Sequence, residues 1–556
     1  MNARRRATAG GFALLASAVM PRSNRFLVAL LALGLVAAAC SSGEDESSTA
    51  STSSQPDDTT TTETPATTTQ AEVTTETPVE PKSSVDWEPC EFAFGDVECA
   101  TIQVPLDYES PDGDQIDIAM ARIRATGPAE DVIGPLVFNP GGPGFGGVAD
   151  IELFAGLMSP EILERFDFVT FDPRGTGGST AVECNIDLDN GFATIEAASD
   201  EETWAGVVAS NTDRLATCTP ETFDLAPHLG TMNVARDLDL VREAVEADTI
   251  SYLGYSYGTR LGATYAELFP SNVRAMIFDA AVLPDSDWSQ LNAQQGMGLE
   301  MALENFAEAC DSDTDCPLAE SGSTLDTINA LRQRILDEGP LESSYDEREL
   351  AVGEYDVAIV TALYSKDQWQ PLADALNVAE SSGDGGDLHF LTDEYAGLDF
   401  FEGGYTSALV TNTLINCADD PTRRTEDEQR AVSEQIATEA GLFGPLLRAS
   451  VGCLGVPETQ SPLEFGPAEE APTIVVIGNT GDPATPYEWS VALDDMLADS
   501  VLYTVEAEGH TAYGFIDCVR APIDAYLLDL VAPEPGATCS DNATADFFID
   551  FEDFED

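Results

Sequence analysis

Ile250-Ser251-Tyr252-Leu253-Gly254-Tyr255-Ser256-Tyr257-Gly258-Thr259-Arg260-Leu261-Gly262-Ala263-Thr264-Tyr265-Ala266-Glu267-Leu268-Phe269 runs from an apolar stretch, through a serine set between glycines, into a helix-forming stretch. Strand, sharp turn and helix are what a Gly-x-Ser-x-Gly nucleophile elbow requires. The serine of such a turn is strained, and side chains two positions either side would meet neighbouring backbone, so glycine is needed there. The turn would hold Ser256 Oγ above the sheet edge, where a carbonyl carbon can reach it. The competing reading is a helix capped by Ser256 and packed through Gly258.

The partners of such a serine follow in the order Ser, Asp or Glu, His. The chain has three histidines, His228, His389 and His510. His228 precedes the serine, and His389 lies in a polar, glycine-rich stretch that reads as inserted. His510 follows the strand-like Val501–Val505 and is the expected general base. Asp482 follows the β-branched run Thr473–Ile477, inside the turn-rich Gly-Asn-Thr-Gly-Asp-Pro-Ala-Thr-Pro. It is the expected acid, holding the Nδ1 proton of His510 and stabilising the imidazolium. Asp279, at the end of the Ala275–Phe278 run, is its rival.

A tetrahedral intermediate needs donors aimed at its oxyanion. The amide of Tyr257, the residue after the serine, is the first. The second is Gly142, with Gly141 as alternative, in the loop Asn139-Pro140-Gly141-Gly142-Pro143-Gly144-Phe145-Gly146-Gly147 after Leu136-Val137-Phe138. Such a loop lets amides approach a substrate without side chains between. Asp172-Pro173-Arg174-Gly175 reads as structural, with Asp172 and Arg174 bracing loops.

Taken together, the Gly-Gly-Pro-Gly loop, Asp-Pro-Arg-Gly, Gly-Tyr-Ser-Tyr-Gly-Thr and Gly-Asp-Pro-Ala-Thr-Pro resemble the proline iminopeptidase group of α/β hydrolases. More narrowly, they resemble its secreted tripeptidyl aminopeptidase-like and carboxylesterase A-like branch, as does Ile415-Asn416-Cys417-Ala418-Asp419. The resemblance spans roughly residues 86 to 540. Asn139-Pro140 departs from it, since many relatives carry His before Gly-Gly-Pro-Gly. The resemblance implies a serine hydrolase that releases short peptides or residues from free N-termini, or cleaves esters. The mechanism read from the residues needs no metal or cofactor, and a lipoprotein that binds peptides without turnover is the minor alternative. A free N-terminus needs a carboxylate for its ammonium. Asp419 and Asp420 are candidates by position and resemblance; a capped turn before Pro421 is the other reading.

The expected fold class is α/β: an α/β-hydrolase fold with a mostly parallel eight-stranded sheet, helices on both faces and an inserted helical cap. The expected strands are Ala100–Val104, Asp114–Arg124, Leu136–Phe138, Phe168–Phe171, Ile250–Leu253, Ala275–Phe278, Thr473–Ile477 and Val501–Val505. Residues 86–286 and 466–540 would form the catalytic domain and 287–465 the cap. Cap helices are expected at Leu299–Ala309, Thr324–Leu336 and Glu426–Ala440. Right-handed crossovers would bring the Ser, Asp and His loops to one edge.

The N-terminus reads as export. Arg22 and Arg25 precede the apolar Phe26–Ala39, followed by Cys40. Residues 1–39 are read as a signal peptide, with Met20 as an alternative start, and Cys40 as a lipid-modified residue after a lipobox; because Ala37 is a weaker lipobox residue than leucine, a released extracellular form is the alternative. Residues 40–85, rich in Ser, Thr, Glu and Pro, form an expected disordered tether. No transmembrane helix is expected in the mature chain, and membrane contact would run through the lipid alone. Of eleven cysteines, ten remain after Cys40, an even number suited to an oxidising compartment. Pairing of sequence neighbours gives Cys90–Cys99, Cys184–Cys218, Cys310–Cys316, Cys417–Cys453 and Cys518–Cys539, although spacing alone does not decide connectivity. Asp and Glu number 100 against 24 Lys and Arg. That balance disfavours nucleic acid as a partner and reads as a solubilising acidic surface. The acidic tail, 541–556, reads either as disordered or as a strand-like appendage.

Overall fold

The computed structural model describes residues 85–185, 201–283, 288–319, 322–345, 348–398, 405–448 and 451–541. The expected signal peptide, Cys40, the expected tether (apart from Val85) and residues 542–556 lie outside these. All eight expected strands form, most of them longer at their ends. In chain order the strands are β1 Glu88–Pro89, β2 Val97–Pro105, β3 Gln115–Ile123, β4 Gly134–Asn139, β5 Phe166–Phe171, β6 Ile250–Tyr255, β7 Val273–Asp279, β8 Leu341–Glu342, β9 Glu349–Leu350, β10 Ile474–Gly481, β11 Ser500–Glu508 and β12 Thr538–Ser540.

The expectation of eight strands is corrected: among the described residues the main sheet has ten, in the order β1-β2-β3-β5-β4-β6-β7-β10-β11-β12. The two unexpected strands are its edges. β1 has only two residues and one is proline, and β12 has three, too few for any hydrophobic period to show. β12 is tied down by the Cys518–Cys539 disulfide. From β5 across to β12 neighbouring strands run parallel, while β1, β2 and β3 pair antiparallel.

Alternation along each central strand supplies two apolar faces. Val137, Tyr252, Met276 and Val476 enter one core with the helices Thr231–Ala244 and Tyr257–Leu268. Phe138, Leu253, Ile277 and Ile477 enter another, with Ile151–Leu157 and Asp517–Asp529. Burial on both faces is why these strands read as continuous apolar runs rather than alternating ones.

Between β7 and β10 the chain is mostly helical. Two of the three expected helices lie within Trp288–Ser312 and Thr324–Glu338, and the third forms as Glu426–Glu439, with Ala440 as its C-cap. Val352–Leu363, Trp369–Ser382, Gly386–Ala396 and Ala408–Asp419 join them. Leu303, Phe306, Ile328, Tyr355 and Trp369 centre a separate apolar core within this stretch. Ala408–Asp419 differs: Val410, Leu414 and Ile415 pack into the core of the sheet itself. The structure joins all five cysteine pairs considered above.

Arg174 braces the loop after β5 against the end of β2 and the Thr231–Ala244 helix. Its guanidinium is fully buried and forks onto both oxygens of Asp237 at 2.7 Å. Its remaining N–H groups donate to the carbonyls of Pro105, Leu106 and His228. Removing one partner of a buried pair like this costs about 3–5 kcal/mol, because the other charge is left uncompensated. Asp172 braces two loops at once, accepting from the amides of Val148 and Gly178.

Candidate active site

Ser256 sits between β6 and the Tyr257–Leu268 helix at φ 54°, ψ −122°. Non-glycine residues seldom adopt positive φ, and such strain gathers where chemistry needs it. The flanking glycines are demanded by contact. A Cβ on Gly254 would lie 2.4 Å from the Gly258 carbonyl oxygen, and one on Gly258 would lie 2.8 Å from that of Asn139. The main chain holds the turn: Ser256 N–H donates to Asp279 O at 3.0 Å, and Thr259 N–H donates to Ser256 O at 2.9 Å.

The glycine loop after β4 lies directly against this turn. A Cβ on Gly141 would be 2.9 Å from Ser256 Cβ. Gly141 N–H donates to Asn139 Oδ1 at 3.1 Å, so that amide is turned inward. Asn139, the departure from the family pattern, thus tethers the loop. Gly142 is exposed beside it. Tyr257 opens its helix, so its N–H has no acceptor within the helix.

Asp482 and His510 come together from the ends of β10 and β11. His510 Nδ1 lies 3.0 Å from each carboxylate oxygen of Asp482. Asp482 is fully buried and also accepts from the amides of Ala484 and Thr485. Burial works against a charged His510. The Asp482 carboxylate, reinforced by Asp279, outweighs it and raises the imidazole pKa above its ordinary value. His510 N–H donates to Tyr364 O at 2.8 Å, and the two rings meet edge to face at 5.5 Å.

Asp279 does not pair with the imidazole. Its carboxylate accepts from the amides of Ala512 and Tyr513. His228 lies in the short turn ahead of the Thr231–Ala244 helix, and His389 is buried in the Gly386–Ala396 helix.

Asp419 and Asp420 are both engaged within the fold. Asp419 is buried and accepts from Thr231 N–H and Oγ1–H at 2.6 Å each, with Arg260 Nη1 at 3.6 Å. Thr231 Oγ1 in turn meets the Tyr257 hydroxyl at 2.7 Å. Asp420 Oδ1 accepts from Thr422 N–H at 2.7 Å, closing the turn around Pro421.

Sequence reasoning passed over Thr485 and Glu394. Thr485 Oγ1 donates to Asp482 Oδ2 at 2.9 Å and lies 3.4 Å from His510 Nδ1. Its signal was present, three residues after the aspartate in the same turn. Glu394 lies in the Gly386–Ala396 helix, and its Oε1 is buried without a partner. Burial raises its pKa to about 7. The charge of the next residue, Tyr395, is felt by Tyr364, whose ring packs edge to face against His510. No sequence pattern marks an orphaned oxygen.

The mostly parallel sheet, strained serine turn and aspartate–histidine pair at adjacent strand ends define an α/β hydrolase. The chain belongs to the alpha/beta hydrolase fold family, whose model matches residues 134–515. It is 36% identical over 487 residues to serine protease Hip1 of Mycobacterium tuberculosis, covering 83% of this chain and 92% of that protein. Carboxylesterase B of the same species is 32% identical over 479 residues, covering 82% of this chain and 89% of the relative. A tripeptidyl aminopeptidase of Streptomyces lividans is 28% identical over 496 residues, covering 83% and 88%.

Proposed function

We propose that the protein is a serine hydrolase acting through Ser256, His510 and Asp482, and that it is an aminopeptidase releasing short peptides or residues from free N-termini. The observation that carries the chemistry is the Asp482–His510 pair, together with Asp279, which joins the His510 loop to the Ser256 turn. His510 Nε2 takes the Ser256 proton as Oγ bonds to the substrate carbonyl carbon. The Tyr257 and Gly142 amides stabilise the oxyanion. His510 then protonates the leaving amine as the C–N bond breaks. Water, deprotonated by His510, attacks the acyl-enzyme and frees the acid and Ser256.

Peptide activity is favoured over ester activity by a carboxylate with no partner of its own. Asp419 and Asp420 have internal partners, so we assign the substrate ammonium to Glu394, the one carboxylate in the helical insertion with an orphaned buried oxygen among the described residues. An ammonium would supply the hydrogen bonds and charge that Glu394 lacks. Carboxylesterase activity on short-chain or lipid esters is the second reading, since the same three residues cleave esters. The test compares free peptide amides, N-blocked peptide amides and short-chain esters. Free peptides should be cleaved in preference to blocked ones. Glu394→Gln should lower kcat/KM for free peptides about 10- to 100-fold, the worth of a hydrogen bond to a charged group, and leave esters within about twofold. Equal cleavage of blocked and free peptides would remove the exopeptidase reading.

We further propose export, with lipid attachment at Cys40. Five disulfides suit an oxidising compartment. Among the described residues no helix is long and apolar enough to cross a membrane. Palmitate labelling of the expressed chain should be lost in Cys40→Ser, which should shift the enzyme from membrane to medium. Unchanged membrane fractionation of Cys40→Ser would reject the anchor.

A further inference from the structure

Asp279 joins two loops that lie far apart in sequence. It ends β7, which pairs with β6, the strand leading to Ser256, on one side and with β10, the strand leading to Asp482, on the other. Its carbonyl oxygen accepts from Ser256 N–H at 3.0 Å. Its carboxylate accepts from Ala512 N–H through both oxygens, at 3.1 and 3.0 Å, and from Tyr513 N–H at 2.7 Å. One residue thus holds the nucleophile turn by its backbone and the histidine loop by its side chain. We propose that Asp279 is a positioning residue that sets His510 against Ser256. This rests on the assignment of Ser256 and His510 as nucleophile and base.

The backbone around His510 shows why a clamp is needed. Gly509 and Thr511, on either side of it, both have positive φ, at 98° and 69°. For threonine, a β-branched residue, that conformation is costly and persists only where surroundings impose it. Three groups impose it here. Asn479 Nδ2 donates to Gly509 O at 3.0 Å and to Thr511 O at 2.9 Å. Tyr364 O accepts the His510 amide, and Asp279 accepts the two amides that follow Thr511. Only Asp279 among them also bonds directly to residue 256.

A buried carboxylate is an expensive way to hold a loop. Asp279 is fully buried, and no cation forms an ion pair with it among the described residues. Burial raises its pKa to about 7 despite the Tyr513 and Ala512 amides and His510, while Asp482 pushes it the same way as burial. Tyr255, the residue before the nucleophile, also faces it. A polar but neutral side chain could accept an amide more cheaply. The charge has a use at this position, because Asp279 adds to Asp482 in favouring the imidazolium of His510.

The test is Asp279→Asn in the full chain, assayed beside wild type and Ser256→Ala, with active sites counted by end-point titration with a fluorophosphonate. Asparagine keeps the size and one acceptor, but turns an NH2 toward an amide N–H. The expected result is a fall in kcat per titrated site of about 10- to 100-fold, as for a misplacement of about 1 Å, with KM within about threefold. The acid limb of kcat/KM against pH should also move to lower pH, which a merely structural residue would not cause. Wild-type kcat and an unmoved limb, with Ser256→Ala inactive, would overturn this inference and leave the hydrolase assignment standing. So would a lowered melting temperature with unchanged kcat per titrated site. Activity persisting in Ser256→Ala would instead sink the underlying assignment. Asp279→Ser, smaller and still an acceptor, serves if the asparagine variant does not fold. If neither folds, Asp279 is a folding group and the inference falls.

Discussion

Ser256→Ala should lower kcat roughly 10⁶-fold while leaving the melting temperature nearly unchanged. The loss is large because no acyl-enzyme can form, so His510 and the oxyanion donors are left with only direct attack by water to assist. The fold should tolerate the change, because the turn is held by main-chain groups. Ser256 N–H donates to Asp279, Ser256 O accepts from Thr259, and the Ser256 side chain makes no capping hydrogen bond to its helix. Alanine keeps all of these, and the strain of φ 54° is common to both residues. The measurement is hydrolysis of a peptide amide and of an ester by the same purified variant. A residual rate within a hundredfold of wild type would remove Ser256 as nucleophile.

Asp482→Asn should cost about 10⁴-fold in kcat, and for a different reason. The carboxylate accepts the Ala484 and Thr485 amides on Oδ1 and the Thr485 hydroxyl on Oδ2, with His510 Nδ1 3.0 Å from both oxygens. In asparagine the amide donors claim Oδ1 and leave Nδ2 facing the imidazole. His510 Nδ1 must then accept, its proton moves to Nε2, and the nitrogen facing the serine can no longer take a proton. The pH profile should also change. A general base works only when neutral, so activity rises as pH climbs through the His510 pKa. Asp482 is the chief group raising that pKa against burial, so its neutral replacement should move the acid limb to lower pH. An unmoved limb, or a loss below tenfold, would show that another carboxylate serves His510.

The eight central strands were legible because burial on both faces leaves long apolar runs such as Thr473–Ile477. The two edge strands were not, since strands of two and three residues carry no period and form only where a neighbouring edge and, for β12, a disulfide hold them. The places of Ser256, Asp482 and His510 in loops that follow strands were legible, because each comes after an apolar run and histidines are scarce. Asp419 was singled out as a carboxylate for substrate, yet its environment could not be seen: its partners Thr231 and Arg260 lie more than a hundred residues away. The orphaned oxygen of Glu394 was invisible for the same reason, being a property of packing rather than of residue type.

The linear order of residues decided the turn around Ser256 and the placing of Asp482 and His510 in loops after strands. These depend on local conformation, on glycine where a Cβ would clash, and on turn-formers at strand ends. Folding in three dimensions decided which carboxylate meets the imidazole and which instead grips the loop behind it. Asp279 and Asp482 both end strands, and only the side-by-side placement of β7, β10 and β11 assigns one to the amides of Ala512 and Tyr513 and the other to His510 Nδ1. Hydrogen bonds of 2.7–3.0 Å depend on that placement to within about half an ångström, a precision no residue spacing encodes.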